Sequence, residues 1–328
     1  MKFLSAFMII LFFGSDIIGQ QVFSKNEPFA HTYSIVARDT VTGEMGVAVQ
    51  SNWFSVGSLV VWGKAGVGVV ATQSFINPSF GPRGLALLEN GLTPALAVKA
   101  LLELDEGREV RQLAILDIQG NVEAYTGENC IDAAGHIVGD NFSVQANLMD
   151  KNTVWPAMAE AFKKSKGSLA ERMLIAMEAA QNEGGDIRGK QSAAILVVKG
   201  ESTGHSWEDT VVDLRVEDHK NPLQEMKRLL TIHKAYDFMN KGDLAVESGD
   251  NILAKQQYMN AQKLNPNNLE MKYWYAITLA NNGEMEEAKS ILKNIFKKNK
   301  KWKELTPRLV KPKLLTISKT ELQEILNL

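Results

Sequence analysis

The sequence predicts an α+β fold in which two stacked antiparallel sheets carry helix pairs on their outer faces, followed by an all-helical tail. Three observations predict it. Strand-like runs come in groups separated by two helices at a time, an order that favours a mostly antiparallel α+β arrangement over a doubly wound sheet. From about residue 237 onward only helical patterns occur. Within that tail, small residues recur 34 positions apart.

The N-terminal segment has the pattern of a secretory signal peptide. Lys2 gives the positive end, residues 3–13 form a short apolar run, and the small residue Gly19 offers a cleavage point. The run is too short to span a bilayer comfortably, and no later stretch approaches spanning length. We therefore predict an exported protein, periplasmic or extracellular, with no transmembrane anchor and with an exposed leader at residues 20–31.

Composition excludes several classes of function. The formal net charge is -2, so the large basic field of a nucleic-acid-binding protein is absent. Cys130 is the only cysteine, which excludes an internal disulfide and suggests a small buried turn residue. Phosphate-binding and dinucleotide-binding glycine motifs, HExxH and CxxC are missing, and none of the five histidines has zinc-ligand spacing. We predict no metal and no cofactor.

In the first half of the chain, alternating apolar and polar residues predict strands, and capping residues predict two helices. The polar turn at 39–43 joins the first two strands into a hairpin. Thr93 and Pro94 mark a helix start, as a capping residue followed by proline at the first helical position. The predicted strands are 32–38, 44–50, 58–62, 66–73, 111–117 and 122–126, and the predicted helices run from Pro82 to just before Gly91 and from Pro94 to Leu104.

The second half shows a strand, two helices, two strands and a further helix. Ser168 and Glu171 form a capping box for a helix that ends near residue 184. Pro222 begins a helix that runs toward Asn240. The predicted strands are 142–147, 193–199 and 210–216, and the helix before Ser168 covers about 155–164.

The tail contains two related units. Gly249 and Gly283 are 34 residues apart (283 − 249 = 34), as are Ala254 and Ala288 (288 − 254 = 34). This period, with small residues where helices cross, is typical of tetratricopeptide repeats. About three units are usually needed for independent stability, so two should pack on the helix at 222–240 or on the preceding domain.

Polar, turn-rich segments carry a resemblance to a known family. With the opening strand, the segments are Thr32–Asp39, Gln73–Gly84, Cys130–His136, Gln145–Asn147, Gly184–Ser192 and Asp213–His219. Together they resemble the domain of unknown function 1028 family, which is placed in the Ntn-hydrolase-like superfamily. The resemblance covers roughly residues 31–236 and implies a four-layer αββα sandwich, but the family has no settled substrate.

The superfamily resemblance places a nucleophile at Thr32. Such enzymes use the first residue of the mature chain, because its α-amino group, with a pKa of about 7.7–8.0, takes the proton of its own hydroxyl. In this chain Thr32 follows His31 and the leader, so cleavage after His31 would be required. Without that cleavage, Thr32 is only a strand residue. Both interpretations stay open at the level of sequence.

Seven further polar residues are predicted to have supporting roles. Asn52, Gln73 and Asn77 could donate to an oxyanion, or could simply cap turns. Arg83, Arg188 and Lys190 could hold an anionic group of the substrate. Asp186, in the same glycine-rich loop as Arg188 and Lys190, is a further candidate for substrate binding. The alternative for the three basic residues is an ion pair with Asp132, Asp186 or Asp213, and Asp186 could equally be a turn residue.

The sequence supports two main hypotheses. The first is an exported N-terminal-nucleophile amidohydrolase that acts on a small amide or peptide-like substrate. The second is a non-catalytic descendant of that fold that binds a ligand or an envelope component, with the repeats docking a protein partner; homo-oligomers are compatible with both. The predicted division is a signal peptide at 1–19, a leader at 20–31, an Ntn-hydrolase-like domain at 32–221, and a helical region at 222–328 with repeats at about 237–300.

Overall fold

The computed structural model of the protein describes residues 29–328. The predicted signal peptide and all but the end of the predicted leader lie outside the described residues. Within the described part, the predicted fold class is confirmed at the level of two antiparallel sheets with helices, followed by a C-terminal helical region.

The strands form two antiparallel sheets. The first sheet has the order β1-β5-β6-β7, with β4 also paired to β5, and the second has the order β11-β10-β3-β2-β9-β8. In chain order the strands are β1 (Phe29–Ala30), β2 (Thr32–Arg38), β3 (Met45–Ser51), β4 (Val61–Lys64), β5 (Gly68–Phe75), β6 (Arg111–Asp117), β7 (Val122–Thr126), β8 (Gly135–Gly139), β9 (Phe142–Ala146), β10 (Ser192–Val198) and β11 (Thr210–Val216).

Helices cover the outer face of each sheet and form the whole C-terminal region. Helices α2 and α3 pack on the first sheet, whereas α4, α5 and the start of α6 pack on the second. In chain order the helices are α1 (Gly57–Val60), α2 (Phe80–Glu89), α3 (Pro94–Glu103), α4 (Val154–Lys164), α5 (Leu169–Asn182), α6 (Pro222–Glu247), α7 (Asn251–Leu264), α8 (Leu269–Asn281), α9 (Met285–Lys298), α10 (Lys301–Leu305) and α11 (Lys319–Leu326).

The two sheets share a buried layer between them. Val36 and Val47 of the second sheet and Val69 and Leu116 of the first belong to one apolar cluster. Because side chains alternate along a strand, Thr32 and Ser34 face the same layer as Val36. The layer is therefore apolar along most of its length and polar at the end where β2 begins.

Local signals explain most element boundaries. The Thr93 side chain accepts from the Leu96 amide at the start of α3, and Ser168 and Glu171 form the predicted capping box of α5. The predicted strand at 58–62 is wrong in part, because α1 occupies Gly57–Val60 and the strand begins at Val61. A short apolar run is buried equally well as a helical turn or a strand, so its periodicity does not distinguish them.

Strand β8 was not predicted from the sequence. It is a short edge strand that begins and ends with glycine. A Cβ at Gly135 would lie 2.6 Å from the Trp155 ring, so the glycine lets α4 pack closely on this edge.

The C-terminal helices pack in sequence order around their own apolar cluster. Helix α6 contributes to both regions, since Leu223 packs with the second sheet and Met239 packs with α7 and α8. Gly242 of α6 faces the Tyr258 ring, which a Cβ would meet at 2.5 Å. Among residues 29–328, no helix is both long and apolar enough to cross a membrane.

Candidate functional site

The polar end of the layer between the sheets holds three hydroxyl residues on neighbouring strands. In the pairing register Thr32 of β2 lies opposite Ser51 of β3, and Ser51 lies opposite Ser192 of β10. All three side chains are fully buried. Thr32 therefore belongs to a row of three buried hydroxyls that crosses β2, β3 and β10 at the point where β2 begins.

The Thr32 hydroxyl is buried without a hydrogen-bond partner among the described residues. Its residue has 0% exposure, and Oγ1 has no donor or acceptor within bonding distance there. A buried polar group in this condition costs about 1–3 kcal/mol, so nearly all such groups are paired. An unpaired buried hydroxyl therefore calls for an explanation, and chemistry at this oxygen is one.

The carbonyl that precedes Thr32 is held by two strong donors. Ser51 Oγ donates to the His31 carbonyl oxygen at 2.6 Å, and Arg188 Nη2 donates to the same oxygen at 2.8 Å. One of these donors is cationic, and charge-assisted hydrogen bonds are about twice as strong as neutral ones. Two donors on one carbonyl oxygen stabilise negative charge on that oxygen better than they stabilise the neutral amide.

Arg188 is held in place by Asp186. Its Nε and Nη2 contact the two carboxylate oxygens of Asp186 at 3.0 and 2.7 Å, a bidentate arrangement. Asp186 is only 2% exposed and also accepts from the Asn52 amide. The flanking glycines 184, 185 and 189 all have positive φ, which lets the loop fold its carboxylate inward.

A network of side-chain amides surrounds this row of hydroxyls. Gln112 lies at its centre, where Oε1 accepts from Gln73 Nε2 at 2.6 Å and from Asn147 Nδ2 at 2.8 Å. Gln73 Oε1 accepts from Ser34 Oγ at 2.6 Å, and Ser34 accepts in turn from Gln145 Nε2. The network joins both sheets but makes no hydrogen bond to the Thr32 hydroxyl.

The imidazole of His31 occupies a closed environment. Its Nδ1 lies 2.7 Å from Asn147 Oδ1, and its ring meets the Phe75 ring edge-on at 5.2 Å. The Asn147 amide nitrogen donates to Gln112, so the oxygen faces the imidazole and Nδ1 carries the hydrogen. Burial lowers the pKa of His31, which favours the neutral ring.

The residues before His31 extend the first sheet. Strand β1 pairs antiparallel with β5, with Phe29 opposite Phe75 and Ala30 opposite Ser74. Ala30 is fully buried and belongs to the cluster between the sheets. Ala30 and His31 are therefore buried in the folded chain, so the prediction of an exposed leader is wrong for these two residues.

The structure brings some of the predicted site residues together. Gln73 lies in the amide network, and Arg188, which is ion-paired with Asp186, donates to the carbonyl before Thr32. Asn52 contacts this pair instead of a carbonyl near Thr32, since its amide nitrogen Nδ2 donates to the Arg188 carbonyl at 3.2 Å.

Three other predicted residues lie outside this group. Asn77 Oδ1 accepts from the Ser79 amide and hydroxyl, which is the turn-capping alternative. Arg83 is exposed and its Nη1 lies 3.4 Å from Ser79 Oγ. Lys190 is exposed on the loop that precedes β10.

Sequence reasoning did not assign roles to Ser51, Gln112 or Asn147. Gln112 carried a usable signal, because a glutamine at an inward position of an otherwise apolar strand is unusual. Ser51 carried none, since its role depends on the register that places it opposite Thr32.

Cys130 has no role in this arrangement. It is buried, and its Sγ donates to the Arg111 carbonyl at 3.3 Å. Burial raises the pKa of the Cys130 thiol, which disfavours the reactive thiolate. Within residues 29–328 no group of three or more histidine, cysteine, aspartate or glutamate side chains is arranged to hold a metal ion.

Comparison with known proteins finds one matching family and a similar crystal structure. A model described as a family of unknown function, DUF1028, matches residues 32–226, so the matched region begins at Thr32. The crystal structure of a protein from Silicibacter pomeroyi with the same family designation matches with a TM-score of 0.56 and 33% identity, covering 61% of this chain and 84% of that chain. No curated protein matches the chain.

Proposed function

Because the chain belongs to the DUF1028 family, whose description assigns no reaction, we propose a function from the site geometry: an exported N-terminal-nucleophile amidohydrolase acting on a small amide or peptide-like substrate. The observation that carries the proposal is the unpaired Thr32 hydroxyl next to a carbonyl held by two donors. A nucleophile and a polarised carbonyl are the two parts that acyl transfer requires.

The first reaction is cleavage of the chain itself. Thr32 Oγ1 attacks the His31 carbonyl carbon, the bond from that carbon to the Thr32 nitrogen breaks, and the hydroxyl proton passes to the departing nitrogen. Water then hydrolyses the resulting ester, which leaves a His31 carboxylic acid and a chain that begins with Thr32. Ser51 and Arg188 stabilise the negative charge on the carbonyl oxygen during attack.

The cleaved chain then has a nucleophile with its own base. The free α-amino group of Thr32 takes the hydroxyl proton, and Oγ1 attacks the carbonyl of an external amide. The leaving amine takes the proton as the carbon–nitrogen bond breaks, and water hydrolyses the ester. Once the leader has left, Ser51 and Arg188 are available to the oxyanion of the substrate.

The arrangement of layers supports the proposed superfamily. Apolar clusters join α2 and α3 to the first sheet, the two sheets to one another, and the second sheet to α4 and α5. We propose that this is the four-layer αββα sandwich of Ntn-hydrolase-like proteins, with Thr32 opening a strand at the polar end of the central layer.

We further propose that the tail consists of two tetratricopeptide-like repeats that dock a protein partner. Gly249 and Gly283 both have a left-handed backbone after a helix, and Ala254 and Ala288 are both fully buried, as equivalent positions should be. We also propose that residues 1–19 are a signal peptide that directs export to the periplasm or the extracellular space.

The experiment is N-terminal sequencing and intact-mass measurement of the protein recovered from the compartment to which it is exported. We expect a chain that begins with Thr32, and we expect Thr32→Ala to remain uncut while Thr32→Ser, which keeps a hydroxyl, is still cut. A wild-type chain that begins near Gln20 and stays so would overturn the hydrolase mechanism.

One observation favours the second candidate, a non-catalytic ligand-binding or envelope-binding protein. In the uncut chain Thr32 is fully buried, so an external substrate does not reach its hydroxyl. A recovered chain that keeps this leader supports that function instead.

A further inference from the structure

We propose that the substrate of this site is a peptide-like acyl compound that binds as an extended strand on β5. Its last residue, whose carbonyl is attacked, carries a flat, uncharged side chain with an N–H donor, and its preceding residue is small. Neutral histidine preceded by alanine fits both conditions. This inference rests on the proposed N-terminal-nucleophile function.

The chemistry of the first cleavage identifies the acyl side of the site. The ester formed on Thr32 Oγ1 carries the leader as its acyl group, with the His31 carbonyl attached to the oxygen. This species is an acyl-enzyme, and its hydrolysis is the same step that releases the acyl half of any later substrate. The contacts of Ala30 and His31 therefore describe the acyl subsite.

The backbone of the subsite is the stretch of one β5 edge that β4 does not cover. Strand β4 covers β5 only from Gly68 to Ala71, and β1 covers the same edge at Ser74 and Phe75. When the leader leaves, an incoming extended chain takes the place of β1 on this stretch, which is recognition by strand addition. Peptides fit this edge, whereas compact amides without a backbone do not.

The side-chain preferences follow from the two buried leader residues. Ala30 is fully buried in the cluster between the sheets, so a larger side chain at that position would require repacking. At the next position, Asn147 Oδ1 accepts from the imidazole and Phe75 contacts the ring edge-on. A carboxylate there would face an acceptor oxygen and lose its water without a donor in return.

The product of hydrolysis is a direct probe of the subsite. A peptide acid places its carboxylate where the His31 carbonyl lies, within reach of Ser51 Oγ and Arg188 Nη2. Binding of such an acid measures the acyl subsite without any assumption about the leaving group.

The experiment uses the full chain after its own cleavage, freed of leader by gel filtration and checked by mass. Calorimetry at pH 7.5 measures the affinity of N-acetyl-Phe-Ala-His acid, with N-acetyl-Phe-Ala-Phe and N-acetyl-Phe-Ala-Glu acids as matched controls. We expect the histidine peptide to bind about tenfold more tightly than either control, as one satisfied hydrogen bond predicts. The phenylalanine control keeps a flat aromatic ring, which is larger and more apolar than imidazole and has no N–H donor.

Asn147→Ala separates recognition from general binding. It should remove the preference for histidine over phenylalanine, bringing their affinity ratio to about one, while both peptides still bind. Equal affinities of the three peptides for the wild-type chain, or no binding at all, would overturn the acyl-subsite inference and leave the cleavage chemistry standing. A chain that is never cut between His31 and Thr32 overturns the proposed function itself, and the inference with it.

Discussion

The two ends of the layer between the sheets are built from the same strands but in opposite ways. At one end Val36, Val47, Val69 and Leu116 pack in an apolar cluster. At the other end the inward positions of the same strands carry hydroxyl and amide side chains, namely Thr32, Ser34, Ser51, Gln73 and Gln112. One strand, β2, changes from apolar to polar within four residues.

Under the proposed function, this difference separates stability from chemistry along one strand. Buried apolar area stabilises the apolar end in proportion to its size, whereas buried amides offset their desolvation only when each finds a partner. The polar end meets that condition through the network around Gln112, with the Thr32 hydroxyl as the exception. Substitutions at the two ends should therefore affect different observables.

The largest expected effect is on cleavage, from Ser51→Ala. The change removes one of two donors to the His31 carbonyl and leaves the backbone and the charge unaltered. Loss of one oxyanion donor costs about 10²–10³ in rate, so the rate constant for appearance of the Thr32 chain, followed by mass, should fall by about that factor.

The matched control is Ser192→Ala, one strand away in the same row. Ser192 Oγ donates to the Trp53 carbonyl and accepts from the Val56 amide, so it contacts no group of the bond that we propose is cleaved. This variant should lose stability and keep its cleavage rate within about twofold. Equal slowing in both variants would show that Ser51 acts only through the packing of the strand.

The second prediction concerns the apolar end. Leu116 is fully buried in the cluster between the sheets, so Leu116→Ala should lower the free energy of unfolding by about 2–5 kcal/mol in denaturant titrations. Its cleavage rate without denaturant should stay close to that of the wild-type chain, because the site lies at the other end of the layer.

Leu104→Ala provides the control for the apolar end, since this leucine is 80% exposed and should change the stability by less than about 0.5 kcal/mol. If Leu116→Ala slowed cleavage as strongly as Ser51→Ala, the two ends of the layer would be one cooperative unit.

The contrast also explains what the sequence could predict. Alternation and capping are local, and they correctly located β2, β6, β11 and the starts of α3 and α5. They did not distinguish α1 from a strand, because a four-residue apolar run fits both. They also missed β8, whose glycines and partial exposure give no strand signal.

The site was predictable only where one residue type was informative by itself. Thr32 followed from the family resemblance, and Asp186 with Arg188 followed from an acidic and a basic residue in one glycine-rich loop. Ser51 and Asn147 act on His31 from strands that are close only after the sheets have formed. No spacing in the sequence encodes that proximity, because it depends on the register of three separate pairings.

The last prediction contrasts two hydroxyl residues within the polar end of the layer. Thr32→Val replaces an unpaired hydroxyl by a methyl group of similar shape, so it should change the free energy of unfolding of an uncut chain by less than about 1 kcal/mol, or raise it. Ser34→Ala, two residues along the same face, leaves Gln73 Oε1 and Gln145 Nε2 each without one partner. It should lower the free energy of unfolding by about 1–3 kcal/mol.

Both changes are measured by denaturant titration in the Ser51→Ala background, where slow cleavage keeps the chain intact. A loss from Thr32→Val as large as that from Ser34→Ala would mean that the Thr32 hydroxyl is hydrogen-bonded in the folded chain, and that it is a structural group before it is a nucleophile.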